Sequence, residues 1–170
     1  MKDLARQFQS LNLFSDLEWD KVIAEYEGEF VHLTFPEYLQ EKANAGDCPP
    51  YLFEIAFFEQ ALMEARNSDV KFPHQPGTYL NPSTLFLSLE YDIPRMLTEA
   101  KQGNPEVIEA SQILAVYRDE TNQVHTLPLS REELRILEKM EDGPLSSSEI
   151  EDQFKIILHD LTRKKLILSL

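Results

Sequence analysis

One cysteine, one tryptophan and five glycines in 170 residues exclude several kinds of chemistry before any motif is sought. Cys48 can close no internal disulfide, and without a second cysteine nearby it is a poor zinc ligand. It stands between Asp47 and Pro49 with no sequence-local base, so nothing marks it as a nucleophile. Five glycines form no Gly-rich phosphate loop. The histidines His32, His74, His125 and His159 lie 42, 51 and 34 residues apart, which is not a metal-binding spacing, and no EF-hand run is present. No apolar run approaches the roughly 20 residues that cross a bilayer, and "MKDLARQFQS" lacks the basic-then-apolar order of a secretory signal. The expectation is a cytoplasmic protein with no catalytic, metal-binding or cofactor-binding residue of its own.

Positive charge is scarce as well. Lys and Arg number 16 against 30 Asp and Glu, a net −14. Residues 1–109 carry 8 against 19, and residues 110–170 carry 8 against 11. A field of this sign works against a polyanion, whose binding rests on phosphate neutralisation, and draws basic peptides or protein surfaces inward.

What is present is an ordinary globular composition, 42% hydrophobic and 27% charged. Leu4, Phe8 and Leu11 fall on one side of a first helical segment, and Ser15 or Asp16 is positioned to cap a second, with Trp19, Val22, Ile23 and Tyr26 as its buried stripe. Pro36 suits the first turn of "PEYLQEKANA", which stops near Gly46, and Pro49 and Pro50 open the next helix.

That next helix, "YLFEIAFFEQALMEA", is apolar nearly all round and carries Glu54, Glu59 and Glu64. At about 100° per residue these glutamates diverge by about 140° at each step, so one helix cannot aim all three at one ion. They are expected in the seams of a packed helix, near hydroxyls or arginines. The stretch 67–82, with three prolines, reads as a loop. Alternation over "STLFLSLEYDI" predicts a half-buried strand, with a helical turn over Leu85 to Leu89 as the alternative, and Pro94 to Gly103 a further helix.

From residue 108 the character changes. Ile113–Arg118 and Val124–Leu127 flank Asp119-Glu120-Thr121-Asn122 in the form of a hairpin. Ser130 with Glu133, and Ser146 with Glu149, make capping boxes before two helices, and "LILSL" closes as a strand. The fold expected is α+β: a helical N-terminal domain over 1–107, then a winged helix-turn-helix-like domain over 108–170 with a small antiparallel sheet. A winged helix can read DNA, which makes a transcriptional regulator the alternative. Its recognition helix, roughly residues 149–164, would however present Glu149, Glu151 and Asp152 to the bases while Arg163, Lys164 and Lys165 stand at its far end. An exposed strand edge instead accepts a peptide as an added strand, through main-chain hydrogen bonds and alternating side-chain pockets. The candidate run is Ile113, Leu114, Ala115, Val116, Tyr117 and Arg118, with the terminal strand 166–170 as a second.

The order "FPEYLQE…PPYLFEIAFFEQALMEA", "LNPSTLFLSLEYDIP" and "ILAVYRDETNQVHTLPLSREELRILEKMEDG" resembles a bacterial family labelled "DNA-binding domain". Its members accompany multinuclear non-haem iron enzymes of ribosomal peptide natural-product biosynthesis, and the methanobactin partner subunit is a relative. The likeness covers roughly residues 30–165. By pattern Glu59 matches the family's helix glutamate, Pro82 and Ser83 its Pro-Ser, and Tyr117 and Arg118 its strand end. The resemblance implies a non-catalytic subunit that forms a heterodimer with the iron enzyme and presents the precursor's leader peptide as an added strand. Cysteine oxidation would take place on irons held by the enzyme alone.

Overall fold

The computed structural model describes residues 4–15, 17–74, 76–141 and 154–169. The chain is mixed α+β, and its contacts divide it into two compact units that are each discontinuous in sequence. One comprises Met1–Ala61 with Ser88–Gln112, the other Leu62–Leu87 with Ile113–Leu170. This division differs from a single cut at 107/108, because α4 (Tyr51–Asn67), β2 (Leu85–Tyr91) and β3 (Glu109–Arg118) each begin in one unit and end in the other.

The first unit is mainly helical. The opening segment is a four-residue helix, α1 (Leu4–Gln7), and a 3-10 turn over Gln9–Leu13, where one continuous helix was expected. Helix α2 (Trp19–Glu29) starts later than the cap expected at Ser15: Glu18 holds the N-cap position without a side-chain bond. The Ser15 hydroxyl accepts instead from the Leu17 amide at 3.1 Å, and Asp16 lies outside the described residues.

Helix α3 (Phe35–Ala45) begins in a full capping box. Thr34 Oγ1 accepts from the Glu37 amide and Glu37 accepts from the Thr34 amide, with Pro36 in the first turn, so the first amides that lack helical partners are satisfied. It ends at Gly46, whose φ of +83° is the left-handed conformation that glycine adopts without strain. Between α2 and α3 the aromatic rings interlock. Phe35 packs on Phe8 at 5.0 Å and Tyr26 at 5.2 Å, and Tyr38 on Phe30 at 5.1 Å. Ring pairs at these separations contribute about 0.5–1.5 kcal/mol each beyond the area they bury. Leu52, Ile55, Ala56 and Phe58 of α4 and Ile93 and Met96 of α5 (Ile93–Lys101) are also buried in this unit.

The strands form two sheets, and the second unit holds the first of them and the hairpin of the other. β1 (Thr78–Leu80) pairs with β5 (Ile167–Ser169), with Tyr79 opposite Leu168. The other sheet has the order β2-β3-β4, β4 being Val124–Leu129, and its hairpin places Ile113 opposite Leu129 and Arg118 opposite Val124. Helices α6 (Arg131–Glu141) and α7 (Lys155–Arg163) follow. Their apolar faces enclose one cluster with the strands: Ala115, Tyr117, Ile136, Leu137, Leu158, Leu161, Leu166 and Ile167 are all buried in it. Fully enclosing one leucine or isoleucine side chain contributes about 1.5–3 kcal/mol, so this cluster is what holds the hairpin to the helices.

The expected box at Ser130 forms, its amide bonded to Glu133 at 2.7 Å. The box expected at Ser146 and Glu149 lies outside the described residues, as do Glu151 and Asp152. β1 forms inside the stretch 67–82, where the sequence predicts a loop; the final strand and the hairpin fall where the pattern places them.

Candidate functional site

The strand Ile113–Arg118, expected to offer an open edge, is flanked on both sides. β4 runs along one side and β2 along the other. Leu114, Ala115, Val116 and Tyr117 are buried, and Ile113 and Arg118 partly so. Alternating hydrophobicity identifies a strand but not its neighbours, and here both neighbours belong to the same chain. A guest strand therefore finds no vacant edge on β3.

The end of β3 is occupied further. Asn81, 1% exposed, donates from Nδ2 to the Arg118 carbonyl at 2.9 Å and to the Lys165 carbonyl at 3.1 Å. Its Oδ1 accepts from the Ser83 amide at 3.0 Å and lies 2.7 Å from the Ser83 hydroxyl, and its own amide donates to Leu166 at 2.8 Å. Ser83 Oγ in turn accepts from the Arg118 amide at 2.9 Å. Ser83 and Arg118, both singled out in the sequence, are thus brought together. Asn81, which ties them to β5, went unnoticed because its partners lie 37 and 84 residues away.

The outer edge of the hairpin is β4, which has no strand beyond it among the described residues. The Asp119 amide donates to the Gln123 carbonyl at 2.9 Å, and this bond sets the phase of the ladder. In an antiparallel pair hydrogen-bonded and non-bonded positions alternate, so His125, Leu127 and Leu129 turn their main chain toward β3. Val124, Thr126 and Pro128 turn theirs away from it. Every residue of β4 is at least partly exposed. Proline has no N–H, and its presence at 128 places that deficit on the outer side, as expected of an edge strand.

The turn feeding β4 is organised around Asp119, 2% exposed. Oδ1 accepts from the Thr121 amide at 2.8 Å, the Thr121 hydroxyl at 2.6 Å and the Gln123 amide at 3.1 Å. Oδ2 faces His125 Nε2 at 3.0 Å and Lys165 Nζ at 3.0 Å. Burial alone would push this carboxyl up. The Thr121 hydroxyl, the Lys165 ammonium, His125 and the Gln123 amide outweigh burial and hold it well below the usual carboxylate range. The His125 ring stacks on Tyr117 at 5.4 Å, and the Tyr117 hydroxyl donates to the Lys164 carbonyl at 2.6 Å. Burial, and secondarily the Asp119 charge, push the Tyr117 hydroxyl up. A pocket of about 180 Å3 opens beside Lys165, lined also by Asp119, Glu120, Thr162 and β5.

The three glutamates of α4 do not converge. Glu54, 4% exposed, accepts from the Glu90 amide at 3.0 Å and 3.1 Å and from the Tyr91 amide at 3.2 Å, closing the end of β2. Burial raises its carboxyl despite these bonds. Burial likewise raises Glu59, opposed by Ser10, while Glu64 is exposed. Among the described residues no three His, Cys, Asp or Glu side chains gather as a metal site, and no helix is long and apolar enough to cross a membrane. The chain matches no protein-family model and no curated protein.

Proposed function

We propose that this protein is a non-catalytic partner subunit that binds a multinuclear non-haem iron enzyme in the cytoplasm and recruits its precursor peptide by strand addition. The guest strand lies along the outer edge of β4. The family likeness supplies the partner and the class of guest. The observation that carries the choice of edge is that β4 is an outermost strand, fully exposed at Thr126 and Pro128 and half-buried elsewhere, with the main chain of Val124 and Thr126 turned outward. The order hairpin, α6, α7 and β5 supports a winged-helix-like reading of this region, used here to hold a peptide. Iron belongs to the enzyme.

The test begins with a displayed library of short Lys- and Arg-rich peptides, chosen because the chain carries a net −14. Thr126→Pro removes one outward amide without removing a ladder bond to β3, so the best binder should lose affinity at least tenfold while circular dichroism is unchanged. Unchanged affinity would remove β4 from the account, and a library without any binder would remove peptide recruitment. Ala115→Pro is the wrong variant for this purpose, because Ala115 sits in the middle strand and its loss of an amide breaks the sheet.

A further inference from the structure

Resting on the reading of β4 as the guest's edge, we propose that Asp119 is a positioning residue: its carboxylate holds the first half of that edge in the conformation that accepts a strand, and Lys165 anchors the carboxylate from the α7–β5 turn.

The two oxygens divide the work. Oδ1 gathers the turn, binding the Thr121 and Gln123 amides and the Thr121 hydroxyl, so the chain enters β4 on a fixed path. Oδ2 holds His125, the residue between the two outward-facing positions Val124 and Thr126. A guest that pairs with 124 and 126 meets main-chain groups already spaced for it and loses less ordering entropy on binding.

Lys165 makes the anchor unusual. Its φ is +61°, in the left-handed region where a glycine would sit without strain. Lysine at this position brings an ammonium 3.0 Å from Oδ2. The same turn is tied twice more to the strands, by Asn81 to the Lys165 carbonyl and by Tyr117 to the Lys164 carbonyl. The hairpin turn and the α7–β5 turn are therefore joined through one buried carboxylate, 46 residues from Lys165 in sequence. Neither Thr121 nor His125 makes that connection.

Residue-resolved hydrogen exchange by NMR separates positioning from simple stabilisation. In Asp119→Asn the ladder amide of His125 should exchange at least tenfold faster, while those of Leu129 and Ala115, at the other end and on the middle strand, stay within twofold. The library-selected peptide should bind about tenfold more weakly. Lys165→Met, which leaves the turn's own bonds in place, should give a smaller change of the same pattern and serves if Asp119→Asn does not fold. Uniform acceleration of all three amides, or an unaltered His125 amide, overturns the proposal. So does unchanged peptide affinity in a variant whose His125 amide has loosened. Absence of any binding peptide for the wild type would count against the peptide reading itself, whereas the exchange pattern still decides whether Asp119 holds the edge.

Discussion

Glu54 and Asp119 are both almost wholly enclosed, 4% and 2% exposed, and both accept several hydrogen bonds, yet their acidities move in opposite directions. Burial keeps the Glu54 carboxyl raised, with the Glu90 carboxylate adding repulsion, against the two backbone amides that meet it at the end of β2. Asp119 is met by two amides, a hydroxyl, an imidazole and an ammonium, and is held low. Enclosure sets the same penalty in kind for each; the chemistry of the donors decides which sign survives. The surroundings agree with this contrast. The unit containing Glu54 has 6 Lys and Arg against 17 Asp and Glu, and the unit containing Asp119 has 10 against 13.

The comparison breaks most visibly at Asp119. Asp119→Ala leaves an imidazole, an ammonium, a hydroxyl and two amides without their acceptor, and should lower unfolding free energy by about 2–4 kcal/mol in urea titrations, the range for deleting one partner of a buried charged group. Asn81→Asp should follow at about 2–3 kcal/mol, because it keeps the acceptor for Ser83 but sets a carboxylate oxygen against the Arg118 and Lys165 carbonyls. Glu54→Gln should cost about 1–2 kcal/mol, since one of the two oxygens that received the Glu90 and Tyr91 amides becomes a donor facing donors.

Titration sharpens the contrast. A carboxyl raised in the folded state contributes stability below its unfolded value and loses it as pH rises through the folded one; a lowered carboxyl does the reverse. The stability difference between wild type and Glu54→Gln should therefore shrink as pH is raised from 4.5, the ordinary glutamate value. The difference for Asp119→Asn should hold above 3.8, the ordinary aspartate value, and shrink below it. Parallel slopes for the two variants would refute the opposition. The smallest expected effect is at Lys165→Gly. Relief of the left-handed backbone, about 1 kcal/mol, offsets loss of an ion pair whose lysine side chain is 52% exposed and which contributes about 0–1 kcal/mol. Melting should scarcely move.

Much of the fold was legible because its signals are local. Pro36 and Gly46 bracket α3, Ser130 and Glu133 open α6, and the period-two run to Tyr91 marks β2, all within a few residues of the structure they specify. β1 was not legible. Thr78–Leu80 follows a proline-rich stretch and becomes a strand only by pairing with β5, whose partners are almost ninety residues further along, as Leu80 opposite Ile167 illustrates. The same non-locality hid Asn81 and the tie from Asp119 to Lys165. For the candidate site, the hairpin forms where the pattern places it, but the first of the two candidate edges, Ile113–Arg118, lies between β2 and β4, while the second, the terminal strand, pairs with β1 alone among the described residues. Ile113–Arg118 is the more hydrophobic of the two hairpin strands because it is covered on both sides, whereas Thr126 and Pro128 of β4 carry the polar and ring-closed chemistry of a boundary.

Pro128 sets a limit on what that boundary can join. With its nitrogen locked into a ring on the outward side, a neighbouring molecule laid alongside meets its last donor at Thr126, so contact can extend over a few residues and then stops. Copies of the protein stacked rim against rim would lack the continuous run of amides that lets amyloid-like ribbons grow. Pairing along the outer strand would end at Pro128 and could not propagate from copy to copy.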